Sequence, residues 1–281
     1  MKSKKLAVLI SILMIVVLIV VLASTIFRVR TISFNFLNQR YVLKDCSQDD
    51  YLKDVTVPYG DSIFLVDKSK MISSLEQNNP YLNVISVETT FPNNLVIHAA
   101  EREEVYAIRF GAEADDTFAV CDQNLKILKF CNSAQLNKAG YISPIKVEIG
   151  YADVDLASDG YNTADFINNP QITPVLTSLA NAFQSAGYNM VSLKGFATGI
   201  KLSESGSFAV SSTGSELEFV KTVEIATKYG ISMTINNASS YLDNKLALGL
   251  RVYNDQHDKH NTTGEIYVFE NSGKIIASYR A

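Results

Sequence analysis

Leu6–Phe27 reads LAVLISILMIVVLIVVLASTIF, about 22 residues without a single charge. At about 1.5 Å per residue such a helix covers roughly 33 Å, the thickness of a bilayer's hydrocarbon core. A cleaved signal peptide is the competing reading, because MKSKK resembles an n-region and Val21-Leu22-Ala23 could pass for a cleavage site. The apolar run before Ala23 is longer than the usual h-region, which favours a retained anchor. Lys2, Lys4 and Lys5 precede the run, and Arg28 and Arg30 follow it. The bias is modest and puts the N-terminus on the cytoplasmic side. Residues 1–5 are then a short cytoplasmic tail, residues 6–27 a single transmembrane helix, and residues 28–281 carry the function outside the membrane.

Composition narrows what that outer part can do. Without the three leading lysines there are 22 basic and 29 acidic residues, so residues 28–281 carry −7. An acidic surface is a poor match for phosphate, so no nucleic acid is expected as a partner. Three cysteines, Cys46, Cys121 and Cys131, give no disulfide framework. Cys121 and Cys131 flank an expected hairpin turning at Gln123–Asn124, out of register with one another, and free thiols are expected.

The first part of the ectodomain alternates clearly. Thr31–Leu37 sets Ile32, Phe34 and Phe36 against Ser33 and Asn35, a half-buried strand. Gln48–Val55 is expected as a short helix. Asp67 caps a helix over Lys68–Asn78 with Met71, Ile72 and Leu75 on one face, and Asn79-Pro80 ends it. Strands follow over Leu82–Phe91 and Leu95–Ala99, joined at Phe91-Pro92-Asn93-Asn94. The order is β-α-α-β-β.

The string from Pro80 through Val84, Val87, Phe91-Pro92-Asn93, Leu95 and Ile97 to Glu101-Arg102 and Val105-Tyr-Ala107 resembles the POTRA domain of the FtsQ/DivIB family of bacterial cell-division proteins. Gly60, Ile63-Phe64 and Asp67 resemble that family's Gly-x-x-apolar-Phe element. The motif-bearing resemblance covers Met1–Phe130; further on it is one of element order. It implies an α+β protein: a single N-terminal transmembrane helix, a POTRA domain over 28–104, and over 105–281 a mostly antiparallel β-domain with helices on one face. Glu101 and Arg102 sit at the expected domain junction.

In the second domain, strands are expected at Val105–Phe110, Phe118–Asp122, Leu125–Phe130, Ile145–Ile149, Met190–Phe196, Ile200–Leu202, Ser207–Ser211, Ile231–Ile235, Ala247–Tyr253, Glu265–Phe269 and Ile275–Tyr279. Helices are expected at Thr173–Ala186 and Glu216–Tyr229, ended by Gly187 and Gly230. Gly150–Pro170 and Asn254–Thr263 read as loops.

Chemical motifs are weak. Ser143-Pro144-Ile145-Lys146 spells the Ser-x-x-Lys of penicillin-binding enzymes, but it reads as a strand entry without the companion motifs. His257 and His260 lie in a polar stretch with no further ligands by motif. Asp153, Asp155 and Asp159 miss the calcium-loop spacing. His98 falls in a strand. No catalytic residue, cofactor or metal is expected.

The resemblance implies a non-enzymatic scaffold of the division septum. It would bind FtsL-like and DivIC/FtsB-like coiled-coil division proteins and help recruit or regulate the septal transpeptidase and glycosyltransferase that build peptidoglycan. Strand addition at an open sheet edge is the mechanism available. The last two strand signals, carrying Ile266, Val268, Ile275, Ile276, Ala277 and Tyr279, are the candidate edge, with Ile276 at its centre as the place where Pro would remove a donor. The alternative is a membrane-anchored cell-wall enzyme or wall-binding receptor, which would need a convergent polar pocket.

Overall fold

The computed structural model describes residues 2–39, 42–110, 116–136, 143–150, 154, 156, 160–187, 190–211 and 214–281. The chain divides into two compact units, Met1–Arg102 and Glu103–Ala281.

Unit 1 begins with α1, Lys2–Ile26, whose 25 residues give about 37 Å of helix. Its described side chains from Ile10 to Val21 are all exposed, and all but Ser11 are apolar. Among the residues whose side chains are described, no helix is both long and apolar enough to cross a membrane.

After α1 come β1 (Thr31–Phe36), α2 (Gln48–Leu52), α3 (Lys68–Asn78), β2 (Leu82–Thr90) and β3 (Asn94–Glu101). The sheet order is β1-β3-β2, with β1 parallel and β2 antiparallel to the central β3. The Asp67 side chain accepts the Lys70 amide at 3.0 Å and starts α3. Met71 and Leu75 of α3 join Leu82, Val84, Val87, Leu95, Ile97 and Ala99 in one core. Val84 and Val87 both face that core, although a regular strand would point them apart. A bulge between Val84 and Ser86 adds the extra residue, leaving Ile85 exposed.

Unit 2 contains β4 (Tyr106–Phe110), β5 (Thr117–Cys121), β6 (Ile127–Asn132), α4 (Ser133–Leu136), β7 (Ile145–Gly150), α5 (Thr173–Ser185), α6 (Met190–Phe196), β8 (Ala197–Ser211), β9 (Gly214–Thr227), β10 (Ile231–Ile235), α7 (Leu242–Asp258), β11 (Gly264–Asn271) and β12 (Lys274–Arg280). Among the described residues these strands form one sheet, ordered β12-β11-β10-β9-β8-β7-β4-β5-β6. Most neighbours are antiparallel, but β4–β7, β7–β8 and β10–β11 are parallel.

Parallel neighbours cannot be joined by a tight turn and need a crossover. This accounts for two departures from the sequence reading. Met190–Phe196 is α6, part of the crossing from β7 to β8, and Ala247–Tyr253 lies inside α7, the crossing from β10 to β11. Glu216–Tyr229 is not a helix: β9 pairs with β8 on one side and β10 on the other. The expected pieces Ile200–Leu202 and Ser207–Ser211 belong to the single strand β8.

The helices are not all on one face. Leu176, Leu179 and Phe183 of α5, Leu193 of α6 and Leu246 and Leu250 of α7 cover one side of the sheet with Tyr106, Ile108, Val223, Ile225, Met233 and Ile266. On the opposite side, Leu136 of α4 packs with Ala107, Phe118, Val120 and Cys131. The segment expected to be a loop between β7 and α5 also contributes to the main core through Leu156 and Ile167.

Candidate functional site

Three places in the fold collect the residues singled out by sequence. The first is the C-terminal hairpin. Ser272 (φ 50°) and Gly273 (φ 74°) form the turn between β11 and β12, both in the left-handed region. β12 is an edge strand, and among the described residues no strand pairs with its outer side. Gly264, at φ 124°, opens β11; a Cβ there would lie 2.5 Å from the Arg280 carbonyl oxygen. The Tyr279 hydroxyl donates to the Thr263 carbonyl at 2.6 Å, and the Arg280 guanidinium lies 5.0 Å from the centre of the Tyr267 ring. Both contacts fasten the end of β12 to β11.

Of the six candidate edge residues, Ile266 and Val268 are fully buried in the core beneath α7. Their side chains are structural and not available to a partner. Ile275, Ala277 and Tyr279 are half-buried against the same core, and Ile276 is on the other face of the strand, 37% exposed.

The turn also fixes which main-chain groups point outward. Its closing bond runs from the Lys274 amide to the Asn271 carbonyl, making Asn271 and Lys274 a hydrogen-bonded pair. Such pairs alternate along an antiparallel ladder. Ile276, opposite Phe269, is therefore bonded inward to β11. The outward groups belong to Ile275, Ala277 and Tyr279. A proline at Ile276 would damage the hairpin itself; the position that tests the edge is Ala277.

The second place is Glu101-Arg102, at the boundary of unit 1. Glu101 is 7% exposed and accepts the Val42 amide at 2.7 Å, while its own amide donates to Asn38 Oδ1 at 2.7 Å. Arg102 Nη2 meets Glu76 Oε2 at 2.9 Å, with side chains 8% and 17% exposed, and Arg102 Nε donates to the Leu82 carbonyl at 3.2 Å. Glu76 Oε1 accepts the Val84 amide at 2.8 Å. This is no exposed ion pair: it ties the end of β3 to α3 and to the start of β2, within unit 1.

The third place has no counterpart in the sequence reading as a site. The chain leaving α1 is gripped from two sides. Ile63 donates its amide to the Phe27 carbonyl at 2.8 Å, Val29 to Asp61 at 2.9 Å and Gly60 to Val29 at 2.9 Å, while Arg30 donates to Asn93 at 2.9 Å. The Gly60–Phe64 element and the Phe91-Pro92-Asn93 turn, which carry the resemblance, thus converge on Phe27–Arg30. Phe27, Phe64 and Phe91 pack with ring centres 5.5 to 6.0 Å apart.

The remaining chemical candidates are dispersed. Ser143 precedes β7 and Lys146 lies within it, so the two are not on one helical turn. His257 lies in the last turn of α7 and His260 follows the helix at φ 60°; among the described residues no group of three His, Cys, Asp or Glu side chains is placed to hold a metal. Asp153, Asp155 and Asp159 lie outside the described residues. His98, in β3, sits 3.6 Å from Glu88. Cys121 lies across from Ile127 and Cys131 from Phe118, so the two thiols are out of register, and burial pushes both up in pKa.

Residues 27–102 match the model of the POTRA domain, FtsQ-type. That match supports the resemblance to the FtsQ/DivIB family. No curated protein matches the chain.

Proposed function

We propose, for a chain whose residues 27–102 are an FtsQ-type POTRA domain, that the protein is a membrane-anchored scaffold of the division septum that captures its partners along β12. The POTRA domain type suggests a division-related scaffold, generally non-enzymatic. In this reading Leu6–Phe27 spans the membrane with residues 1–5 cytoplasmic, residues 28–104 form the POTRA domain and residues 105–281 the β-domain outside. The anchor is supported by a helix whose side chains from Ile10 to Val21 are all exposed and, Ser11 apart, apolar, a surface suited to lipid. The partners are FtsL-like and DivIC/FtsB-like coiled-coil proteins, through which the septal transpeptidase and glycosyltransferase are recruited or regulated.

The observation that carries the proposal is the edge position of β12. Its Ile275–Tyr279 stretch holds no charge, although edges left open are normally protected by charge, proline or a bulge. An extended segment can add there through main-chain bonds, with Ile276 beside it. The test compares full-length Ala277→Pro with the unchanged protein by co-purification from membranes and mass spectrometry. Ala277→Pro is expected to lose the coiled-coil partners while its melting temperature stays within a few degrees. Retention of those partners by a well-folded Ala277→Pro protein would place the capture site elsewhere.

A further inference from the structure

Exposed apolar side chains are concentrated where the chain leaves α1. Leu65 is 82% exposed, Phe64 64%, Phe91 62% and Tyr59 53%. Large apolar groups gathered on one surface need something to cover them. Phe64 and Phe91 are in ring contact with Phe27, the residue directly after α1. The Ile63 amide bonded to the Phe27 carbonyl fixes the height of the 59–65 loop relative to the helix end. Arg30 N–H bonded to the Asn93 carbonyl does the same for the 91–93 turn.

From this geometry we infer that Phe64, Leu65 and Phe91 dip into the outer interface of the bilayer, so that the POTRA domain lies on the lipid surface. The inference rests on the reading of α1 as a membrane span. If Phe27 ends the span, side chains in contact with it stand at the same depth. The occupant is then the headgroup and upper acyl region of the bilayer, where amphipathic and aromatic groups gain most from partial burial. Ile26 is itself exposed and the next residue, Phe27, carries the ring contacts to Phe64 and Phe91, so the patch starts where the apolar helix ends, which favours lipid over a protein partner. The two motifs that carry the resemblance, Gly60–Phe64 and Phe91-Pro92-Asn93, thereby acquire a shared role: both present an aromatic ring at the membrane.

The chain contains no Trp, so a single introduced Trp is an unambiguous reporter. Full-length Phe64→Trp, Leu65→Trp and Ile15→Trp proteins are reconstituted into phosphatidylcholine vesicles without bromine, with bromine on the acyl chains near the headgroup, and with bromine near the acyl-chain ends. Tyr229→Trp, an exposed position in unit 2, serves as the water-exposed reference. Trp at 64 and 65 is expected to emit at shorter wavelength than Trp at 229 and to be quenched by bromine near the headgroup, and Trp at 15 by bromine near the chain ends. Quenching at 15 without quenching at 64 and 65 overturns the inference and leaves the membrane span standing. Blue-shifted but unquenched emission at 64 and 65 means that protein covers the patch, which also overturns it. Absence of quenching at 15 removes both the span and the inference.

Discussion

Replacing Arg102 by Met separates two roles for the Glu-Arg pair, an exposed link and an internal tie. The guanidinium is held by Glu76 at 2.9 Å and by the Leu82 carbonyl at 3.2 Å, with the side chain only 8% exposed. Met fills much of the same volume but removes the Arg102 charge from the Glu76 carboxylate and the Nε donor from the Leu82 carbonyl. Breaking a buried pair from one side costs about 3–5 kcal/mol. Glu76 keeps the Val84 amide at 2.8 Å and is 17% exposed, so water can reach it and the lower end of that range applies. A loss of about 3 kcal/mol lowers the melting temperature of a domain this size by roughly 12–24 °C. Thermal unfolding of the fragment 27–102, followed by far-ultraviolet circular dichroism, reads this directly. Arg102→Lys keeps a charge but loses the fork geometry, and is expected to recover only part of the loss. A loss below about 1 kcal/mol for Arg102→Met, the level of a surface ion pair, would refute the internal tie.

Burial pushes the Tyr51 phenol up to about 12 from an ordinary 10.0. The unfolded chain gives up this proton first, so unit 1 is expected to lose stability as pH rises from 10 to 12; a urea-unfolding series on Tyr51→Phe should show a flatter dependence there. Gly264→Ala combines a φ of 124° with a Cβ placed 2.5 Å from a backbone carbonyl oxygen, and is expected to cost about 1–3 kcal/mol and to weaken partner capture by displacing the end of β12. Calorimetry of the full chain with a melting temperature unchanged from the parent would rule out that anchoring of the hairpin.

Unit 1 was readable from sequence because its signals are local. Asp67 caps α3, Ile32, Phe34 and Phe36 alternate, and Pro92 marks the turn between β2 and β3. The weak alternation of Leu82–Phe91 has a local cause as well, the bulge at Ile85. In unit 2 the decisive information is which strands are neighbours. Leu246, Leu248, Leu250 and Val252 imitate a strand's period of two, while Leu242, Leu246, Gly249, Leu250 and Tyr253 are the buried face of a helix. Only the parallel pairing of β10 with β11 decides between them. Likewise Glu216–Tyr229 has acceptable helical spacing, and two flanking strands override it. At the candidate edge, the hairpin and its turn follow from Asn271-Ser272-Gly273, but which backbone groups face outward depends on the register. The burial of Arg102 depends on Glu76, which no spacing rule connects to it.

The grip on Phe27–Arg30 leaves no slack between α1 and the body of unit 1. The two are therefore phased like a shaft and the wheel keyed to it. Each residue of an α-helix advances about 1.5 Å and turns about 100°. One alanine added near Thr25 would swing the Leu65 side of unit 1 by about that angle relative to any neighbour that holds α1 by its upper half. Four residues would restore the facing to within about 40° while raising unit 1 by about 6 Å. Rotational setting and height thus become separately adjustable quantities, encoded by the number of residues between Lys2 and the clamp.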